Sequence, residues 1–129
     1  MNGKDIVILW EASKAFFDSE LQDDLVCSFS ELVVQLRCSY MDQQEILLTF
    51  DSTFCFRYTT QSFSSSEFFP GMFNTLVEIK NSAWIKNLEE NDPIRFKAWS
   101  LDYLKHYAIF FDRVGLYQFI ARKYSISVI

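Results

Sequence analysis

The sequence predicts an α+β fold built on a mostly antiparallel sheet of four to seven strands, with about two helices packed on it. The C-terminal part, Tyr103–Ile129, contains two runs rich in aromatic and β-branched residues around a short glycine-containing turn, which is typical of a β-hairpin. The segment Leu25–Thr60 alternates between apolar and polar residues, and its connections are too short for helical crossovers. In Ala83–Asn91, by contrast, the apolar residues recur at helical spacing.

The N-terminal segment favours an amphipathic helix over Asp5–Asp18. Apolar side chains recur there at helical spacing, Ser13 interrupts the stripe, and Asp5 is a candidate N-cap. A strand over Asp5–Trp10 is the competing interpretation, because residues 6–8 are β-branched and favour extended structure.

The middle of the chain predicts an antiparallel meander of short strands. An acidic, polar connection over residues 18–24 precedes it, and in Glu31–Tyr40 the apolar side chains fall mainly on one face of an extended chain. The predicted strands are Leu25–Phe29, Glu31–Tyr40, Glu45–Phe50 and Phe54–Thr60, with a turn at residues 41–44 and a bend or bulge at residues 51–53.

A serine-rich loop is predicted over Gln61–Gly71, and it is unusual because it carries Phe63, Phe68 and Phe69. A loop with this many rings either folds back over the core or presents an apolar surface to another molecule. Phe73–Lys80 is predicted to form the next strand.

The last third of the chain predicts one helix and the closing strands. Asn81 and Ser82 offer a cap for the helix Ala83–Asn91, and Pro93 prevents this helix from extending further. Ile94–Ser100 is compatible with either a loop or a short strand. The predicted C-terminal strands are Leu104–Phe111, Leu116–Ala121 and Ser125–Ile129.

Composition favours a globular cytoplasmic protein that forms one domain, residues 1–129. The chain is 50% apolar and 22% charged, which is typical of folded rather than disordered proteins. Its net charge of −5 argues against a nucleic-acid partner, since such binders neutralise phosphates with basic side chains. The three cysteines have no paired spacing and indicate a reducing compartment. No apolar run is long enough to predict a membrane span.

Reactive residues are few, and the sequence contains no catalytic, phosphate-binding or cofactor motif, so we expect no enzymatic activity and no cofactor. His106 is the single histidine, and a structural hydrogen bond is its expected role on a strand. The acidic group Asp18, Glu20, Asp23 and Asp24 lacks the glycine and the closing glutamate of an EF-hand loop, so no metal site is expected.

Four short segments resemble a group of small bacterial α+β proteins. They are Phe17–Asp23, Phe54–Thr59, Lys105–Asp112 with its His-Tyr pair, and Glu78–Ile85 with the pattern E-x-x-x-S-x-W-[IL]. On these segments the chain is similar to the Bacillus YxiG-like proteins and to immunity proteins found beside polymorphic toxins. In the first segment Gln22 stands where the group has histidine. The resemblance implies a small cytosolic protein without enzymatic activity that binds and neutralises a cognate toxin, and it carries over no catalytic residue.

We therefore expect a non-enzymatic binding protein of the immunity type whose partner is a basic toxin domain. Neither a nucleic acid nor a membrane is expected as partner, and the chain itself is expected to be a monomer or a homodimer. Two alternatives stay open: a small enzyme that uses His106, and a homo-oligomeric module that buries its many phenylalanines between subunits. The residues expected at the partner contact carry a negative charge or an aromatic ring, and they are Asp18, Glu20, Asp23, Asp24, Phe63, Phe68 and Phe69.

Overall fold

A computed structural model describes residues 5–11, 26–30, 32–39, 45–60, 75–98, 103–111 and 115–128. These residues contain strands and two helices, and every strand pairing among them is antiparallel. The strands are β1 (Ile6–Glu11), β2 (Val26–Ser30), β3 (Val33–Ser39), β4 (Glu45–Asp51), β5 (Cys55–Thr60), β6 (Thr75–Ile79), β7 (Lys105–Phe111), β8 (Gly115–Ala121) and β9 (Lys123–Val128), and the helices are α1 (Ala83–Asn91) and α2 (Pro93–Ala98).

The strands form two sheets, one of five strands in the order β1-β6-β7-β8-β5 and one of four strands in the order β2-β3-β4-β9. The predicted α+β class and the antiparallel pairing are confirmed. The described residues contain two helices, as expected in number, but only α1 lies where a helix was predicted. The division of the strands between two sheets is a feature that the sequence pattern did not predict. The expectation of a single domain over residues 1–129 stays a prediction.

The predicted C-terminal hairpin is confirmed as β7 and β8, which pair from Lys105 opposite Ala121 to Phe111 opposite Gly115. The third predicted strand also forms, as β9, but it belongs to the other sheet and pairs with β4. The chain therefore changes sheets at Arg122, between two strands that follow one another almost without a break.

A second change of sheet occurs between β4 and β5, where Ser52 has a φ of 55°. Backbone hydrogen bonds join this corner to the first one: Arg122 N–H donates to the Asp51 carbonyl at 3.1 Å, and Phe54 N–H donates to the Ile120 carbonyl at 2.8 Å. The predicted meander over Leu25–Thr60 is therefore correct for β2, β3 and β4 and wrong for β5, which pairs with β8 in the other sheet.

The main core lies between the two sheets. In β4 each buried residue alternates with a half-buried one, as expected for a strand with one face toward a core. The Phe50 ring of the four-stranded sheet stacks on the Phe119 ring of the five-stranded sheet, with 3.9 Å between centroids and 11° between planes. The fully or nearly buried residues of this core include Val34, Leu36, Ile46, Leu48, Phe50, Leu76, Tyr107, Ile109, Phe111, Phe119 and Ala121.

A smaller apolar cluster covers the opposite face of the five-stranded sheet. It contains Val77 and Ile79 of β6, Ala108 and Phe110 of β7, and Leu116 of β8. His106 occupies the same face, because it is two residues from Ala108 along β7. This outer face is where α1 contacts β7 and where the polar site described below is found.

The helix predicted over Asp5–Asp18 is wrong over residues 6–11, which form β1, and the competing strand interpretation is correct there. The physical reason is that β-branched side chains at residues 6–8 favour an extended backbone and that β6 supplies a pairing partner. Residues 12–18 lie outside the described part of the chain.

The helix predicted over Ala83–Asn91 is confirmed with the same bounds and with Ser82 as its N-cap. The second helix was not predicted, because the sequence pattern indicates Pro93 only as the end of α1 and favours a loop or short strand over Ile94–Ser100. Proline is favourable at the first position of a helix, and here it opens α2. The Asp92 carboxylate supports this start by accepting from Arg95 N–H at 3.0 Å.

Candidate functional site

The first turn of α1 positions the Ser82 hydroxyl at the outer face of the five-stranded sheet. Asn81 precedes it with a φ of 53°, in the left-handed region that asparagine tolerates better than most residues. Its side-chain amide donates to Asp5 Oδ1 at 3.1 Å, beside the start of β1. Ser82 is extended and its Oγ accepts from Ile85 N–H at 3.2 Å, which caps the helix.

His106 links this helix cap to the sheet. Its Nδ1 lies 2.7 Å from Ser82 Oγ, and its Nε2 lies 2.8 Å from the side-chain amide of Gln118 on β8. All three side chains are buried, with exposed fractions of 3% for His106, 6% for Ser82 and 7% for Gln118. Buried polar groups are costly unless they are hydrogen-bonded, and these groups satisfy one another.

Arg57 on β5 completes the group. Its side chain reaches the Gln118 amide with Nη2 and Nε at 3.1 and 3.3 Å. Its guanidinium carbon also lies 4.3 Å from the centre of the Trp84 ring, a cation–π contact. The Trp84 ring meets the His106 ring edge-on, with 5.3 Å between centroids. Helix α1 and strands β5, β7 and β8 therefore converge on five side chains, which we call the outer-face network: Arg57, Ser82, Trp84, His106 and Gln118.

The direction of each hydrogen bond in the outer-face network follows from Arg57. A guanidinium has donors only, so the Gln118 amide must turn its oxygen toward Arg57 and its nitrogen toward the imidazole. The amide nitrogen donates to Nε2 of His106, which is therefore unprotonated. The proton of the neutral ring then lies on Nδ1, which donates to Ser82 Oγ.

Burial lowers the pKa of His106 from 6.5 to about 4, and the positive charge of Arg57 acts in the same direction. A Gln118 carbonyl facing Nε2 would raise this pKa, but the orientation that also serves Arg57 presents the amide NH2 instead. The imidazole is consequently neutral near pH 7, in agreement with a structural role.

The 2.7 Å contact between Ser82 and His106 has the length of a nucleophile–base pair but the opposite polarity. A general base must accept the hydroxyl proton, whereas here the ring nitrogen facing Ser82 carries a proton and donates it. Ser82 also holds the first turn of α1, so its oxygen is already engaged with Ile85 N–H. The arrangement can stabilise a helix on a sheet, and it does not activate Ser82.

Tyr107, Cys55 and Glu78 are likewise held in neutral or paired forms. Burial, reinforced by Glu78 and Tyr124, raises the pKa of Tyr107 to about 12. Glu78 itself is bonded to Lys80, with 2.7 Å between Oε2 and Nζ. Burial raises the pKa of the Cys55 thiol, which makes it a poor nucleophile. Among the described side chains no three histidine, cysteine or acidic groups come together to hold a metal ion.

A cavity of about 250 Å³ opens beside the outer-face network. Its wall is formed by the end of β6, the start of α1 and the start of β7. The residues that line it include Glu78, Lys80, Ser82, Lys86, Lys105 and His106.

The residues predicted at the partner contact lie outside the described part of the chain: Asp18, Glu20, Asp23, Asp24, Phe63, Phe68 and Phe69. The structural role expected for His106 agrees with its two hydrogen bonds. Gln118 was not singled out from the sequence. The available signal was a polar residue inside an otherwise apolar strand, at a position that β8 turns toward His106 and Arg57.

No protein-family model matches the chain, and no curated protein or solved structure was found to match it. No helix among the described residues has the length and apolar character needed to cross a lipid bilayer.

Proposed function

We propose that this chain is a non-enzymatic binding protein of the immunity type, which neutralises a cognate toxin by direct contact in the cytoplasm. The observation that carries the proposal is the outer-face network. Arg57, Ser82, Trp84 and His106 come from the three internal segments on which the resemblance to immunity proteins rests, and they contact one another. These three segments therefore contribute to the internal structure of the fold, and we infer that other residues, on the surface, bind the partner.

The charge of the chain supports a basic partner. A net charge of −5 attracts a positively charged protein over distances of about the Debye length and speeds encounter. The acidic residues Asp18, Glu20, Asp23 and Asp24 belong to the connection between β1 and β2, each of which is one of the two edge strands of its sheet. We assign them the role of steering the partner.

The aromatic residues Phe63, Phe68 and Phe69 belong to the connection between β5 and β6. We assign them the role of holding the partner, since buried rings supply much of the energy of protein interfaces. In the proposed contact, the acidic residues govern the rate of association, and the aromatic rings govern the lifetime of the complex.

The proposal predicts a toxin gene beside the gene for this chain, and the test uses the product of that gene. Co-expression of the full chain should restore growth of cells that produce the toxin. The Asp23→Asn/Asp24→Asn variant should bind the purified toxin domain more slowly at low salt, and the difference should shrink as salt is added. Glu89→Gln/Glu90→Gln is the matched control, since it also removes two negative charges but from exposed positions on α1.

Two results would contradict the proposal. One is a failure of the full chain to restore growth. The other is the lack of a neighbouring toxin gene together with a pull-down from the native bacterium that recovers no basic protein. If the acidic-segment variant and the α1 control slow association equally, then net charge affects the association rate, but Asp23 and Asp24 do not form the assigned contact.

A small enzyme that uses His106 is the second candidate, because Ser82 and His106 are 2.7 Å apart and line a cavity. The polarity of their hydrogen bond and the low pKa of the ring favour the binding protein over this alternative. A His106→Gln variant that folds and still restores growth would eliminate the enzyme; loss of rescue with retained folding and toxin binding would favour it.

A further inference from the structure

We propose that β1 is a dimerisation edge, which pairs antiparallel with β1 of a second copy of this chain about a two-fold axis at Val7. The inference does not depend on the proposed toxin contact, which involves other residues. It rests on the exposed apolar side chains of β1, on the direction of its backbone hydrogen bonds and on the symmetry of its sequence.

The first step concerns the side chains of β1. Among the described strands it pairs only with β6, so it forms one edge of the five-stranded sheet. Val7 and Ile8 are 40% and 48% exposed, and strand alternation places them on opposite faces of the sheet. Residues 6–10 contain no charge and no proline, which are the residues that usually keep an edge strand from pairing with another chain.

Strand β9, an edge of the four-stranded sheet, shows the usual protection. It begins with Lys123, and the exposed side chains that follow are those of Ser125 and Ser127. A charged and polar edge of this kind discourages pairing with another chain. The edge formed by β1 is apolar on both faces and has no such protection over residues 6–8.

The second step concerns the backbone groups of β1. Lys80 N–H donates to the Asp5 carbonyl, in the same register that joins β1 to β6. Hydrogen-bonding groups alternate between the two sides of an antiparallel strand, so those of Asp5 and Val7 face β6. Those of Ile6 and Ile8 consequently face away from the sheet, and no described strand pairs with that side of β1.

The third step concerns the order of the side chains. Ile6-Val7-Ile8 reads the same in both directions, so two antiparallel copies centred on Val7 place Ile6 opposite Ile8 and Val7 opposite itself. The outward backbone groups of Ile6 and Ile8 then meet and form reciprocal hydrogen bonds. A two-fold dimer requires a surface that is complementary to itself, and this edge satisfies that requirement.

The contact is short, because the register with β6 shifts at a bulge between Ile8 and Trp10. Small interfaces give weak association, and the net charge of −5 on each copy opposes it. We therefore expect a dimer at high protein concentration, with an affinity that increases as salt screens the repulsion. A contact with a basic partner would respond to salt in the opposite direction.

The test is sedimentation equilibrium of the full chain from about 10 µM to about 1 mM, together with amide hydrogen exchange measured by NMR. We expect dimers at the upper end of this range. The Ile6 and Ile8 amides should become protected as the concentration rises, whereas the Val7 amide, which faces β6, should be protected throughout. A chain that stays monomeric over this range would overturn the proposal.

A pair of variants tests the position of the axis. Val7→Lys should raise the dimer Kd at least about tenfold, because two ammonium groups would lie opposite each other, and Val7→Glu should do the same with two carboxylates. An equimolar mixture of the two variants should dimerise again, since opposite charges then meet. Both variants should fold, because the position is 40% exposed and charged residues are common on edge strands, and circular dichroism checks this.

The matched control is Ser127→Lys, which adds a positive charge at an exposed position on β9. It should leave the dimer Kd within about twofold of the wild-type value, because charges beyond a Debye length are largely screened. A dimer that survives Val7→Lys, or a mixture of the two Val7 variants that stays monomeric, would overturn the proposal. A monomeric wild type whose toxin binding is weakened by Val7→Lys would also overturn it, because the edge would then accept a strand of the toxin.

Discussion

The Arg57 guanidinium offers hydrogen-bond donors only, and this property is transmitted through Gln118 to the His106 ring. The imidazole is surrounded by a donor on Nε2 and an acceptor at Nδ1, so it is held as one neutral tautomer. Arg57 and Gln118 on two strands and Ser82 at the cap of α1 thereby define the protonation state of one ring. The chain has a single histidine, so each step is open to direct measurement.

We expect Arg57→Leu to raise the pKa of His106 from about 4 toward its ordinary value of 6.5. The variant removes a nearby positive charge and allows Gln118 to turn its carbonyl toward the ring, and both changes favour the imidazolium. A pH titration of the histidine ring signals by NMR measures the effect. Arg37→Leu, an exposed arginine of β3 in the other sheet, should leave the pKa unchanged. An unchanged value in Arg57→Leu would refute the proposed orientation of the amide.

We expect stability to decrease as the pH falls from 6.5 to about 4. In this window the histidine of the unfolded chain binds a proton, whereas His106 of the folded chain, with a pKa of about 4, does not. Protonation therefore favours unfolding, and the linkage amounts to about 3 kcal/mol over the whole window. Urea unfolding of the wild type and of His106→Gln at several pH values isolates this contribution, since the carboxylates are common to both. Parallel pH profiles would contradict it.

Part of this site could be predicted from the sequence. The Ser82 cap follows from the local pattern before α1, and a structural role for a lone strand histidine is the usual one. The contact between Ser82 and His106 joins residues 24 positions apart, and its partner Gln118 lies a further 12 positions along the chain. Such contacts depend on strand register, which a single sequence specifies only weakly.

At the level of secondary-structure elements, the corner between β4 and β5 depends on Ser52. Its φ of 55° places a residue with a Cβ atom in the left-handed region. The neighbouring Thr53 is buried, and its hydroxyl donates to the Phe50 carbonyl at 2.8 Å, which ties the bend to the end of β4. The corner is therefore a defined turn rather than a simple interruption of the strand.

We expect Ser52→Gly to stabilise the chain by about 0.5–1 kcal/mol and Ser52→Val to destabilise it by about 1–2 kcal/mol. Glycine adopts a positive φ without steric cost, whereas a β-branched residue is strongly disfavoured there. Urea unfolding measures both changes. Ser125→Gly is the control, because Ser125 is an exposed residue of β9, where glycine should destabilise. Stabilisation by Ser52→Val would contradict the assigned backbone conformation.

The elements themselves were predictable to different degrees. The β7–β8 hairpin is encoded locally by apolar runs around a glycine turn, and the sequence predicted it well. β1 was predicted as a helix because its apolar spacing fits a helical stripe, and pairing with the distant β6 decides the outcome. The pairing of β5 with β8 rather than β4 likewise depends on a corner whose serine gives no distinctive sequence signal.

At the scale of the whole molecule, the two sheets share one core and two strand corners. The Phe50–Phe119 stack joins the sheets across the core, and the Asp51–Arg122 and Phe54–Ile120 backbone bonds join them at the corners. These connections lead us to expect that the sheets unfold together in one cooperative transition.

We expect Phe119→Ala to destabilise both sheets by about 3–5 kcal/mol, because the ring is fully buried and contacts the opposite sheet. Tryptophan fluorescence and far-UV circular dichroism should report the same urea midpoint. Tyr103→Ala, at a position that is 68% exposed, should change stability by about 0.5 kcal/mol or less. Two separate transitions would show that the sheets are energetically independent.

The exchange of strands at the corners also constrains the order of events on the ribosome. β5 can join its sheet only after β8 has been synthesised, and β4 acquires its second neighbour only when β9 emerges. Both sheets consequently stay incomplete until the same late stretch of polypeptide has been synthesised, and until then β4 and β5 expose unpaired strand edges. Exposed strand edges promote aggregation. The nascent chain therefore depends on rapid completion of synthesis, or on a chaperone that shields those edges. A protein whose sheets are completed one after the other depends on them less.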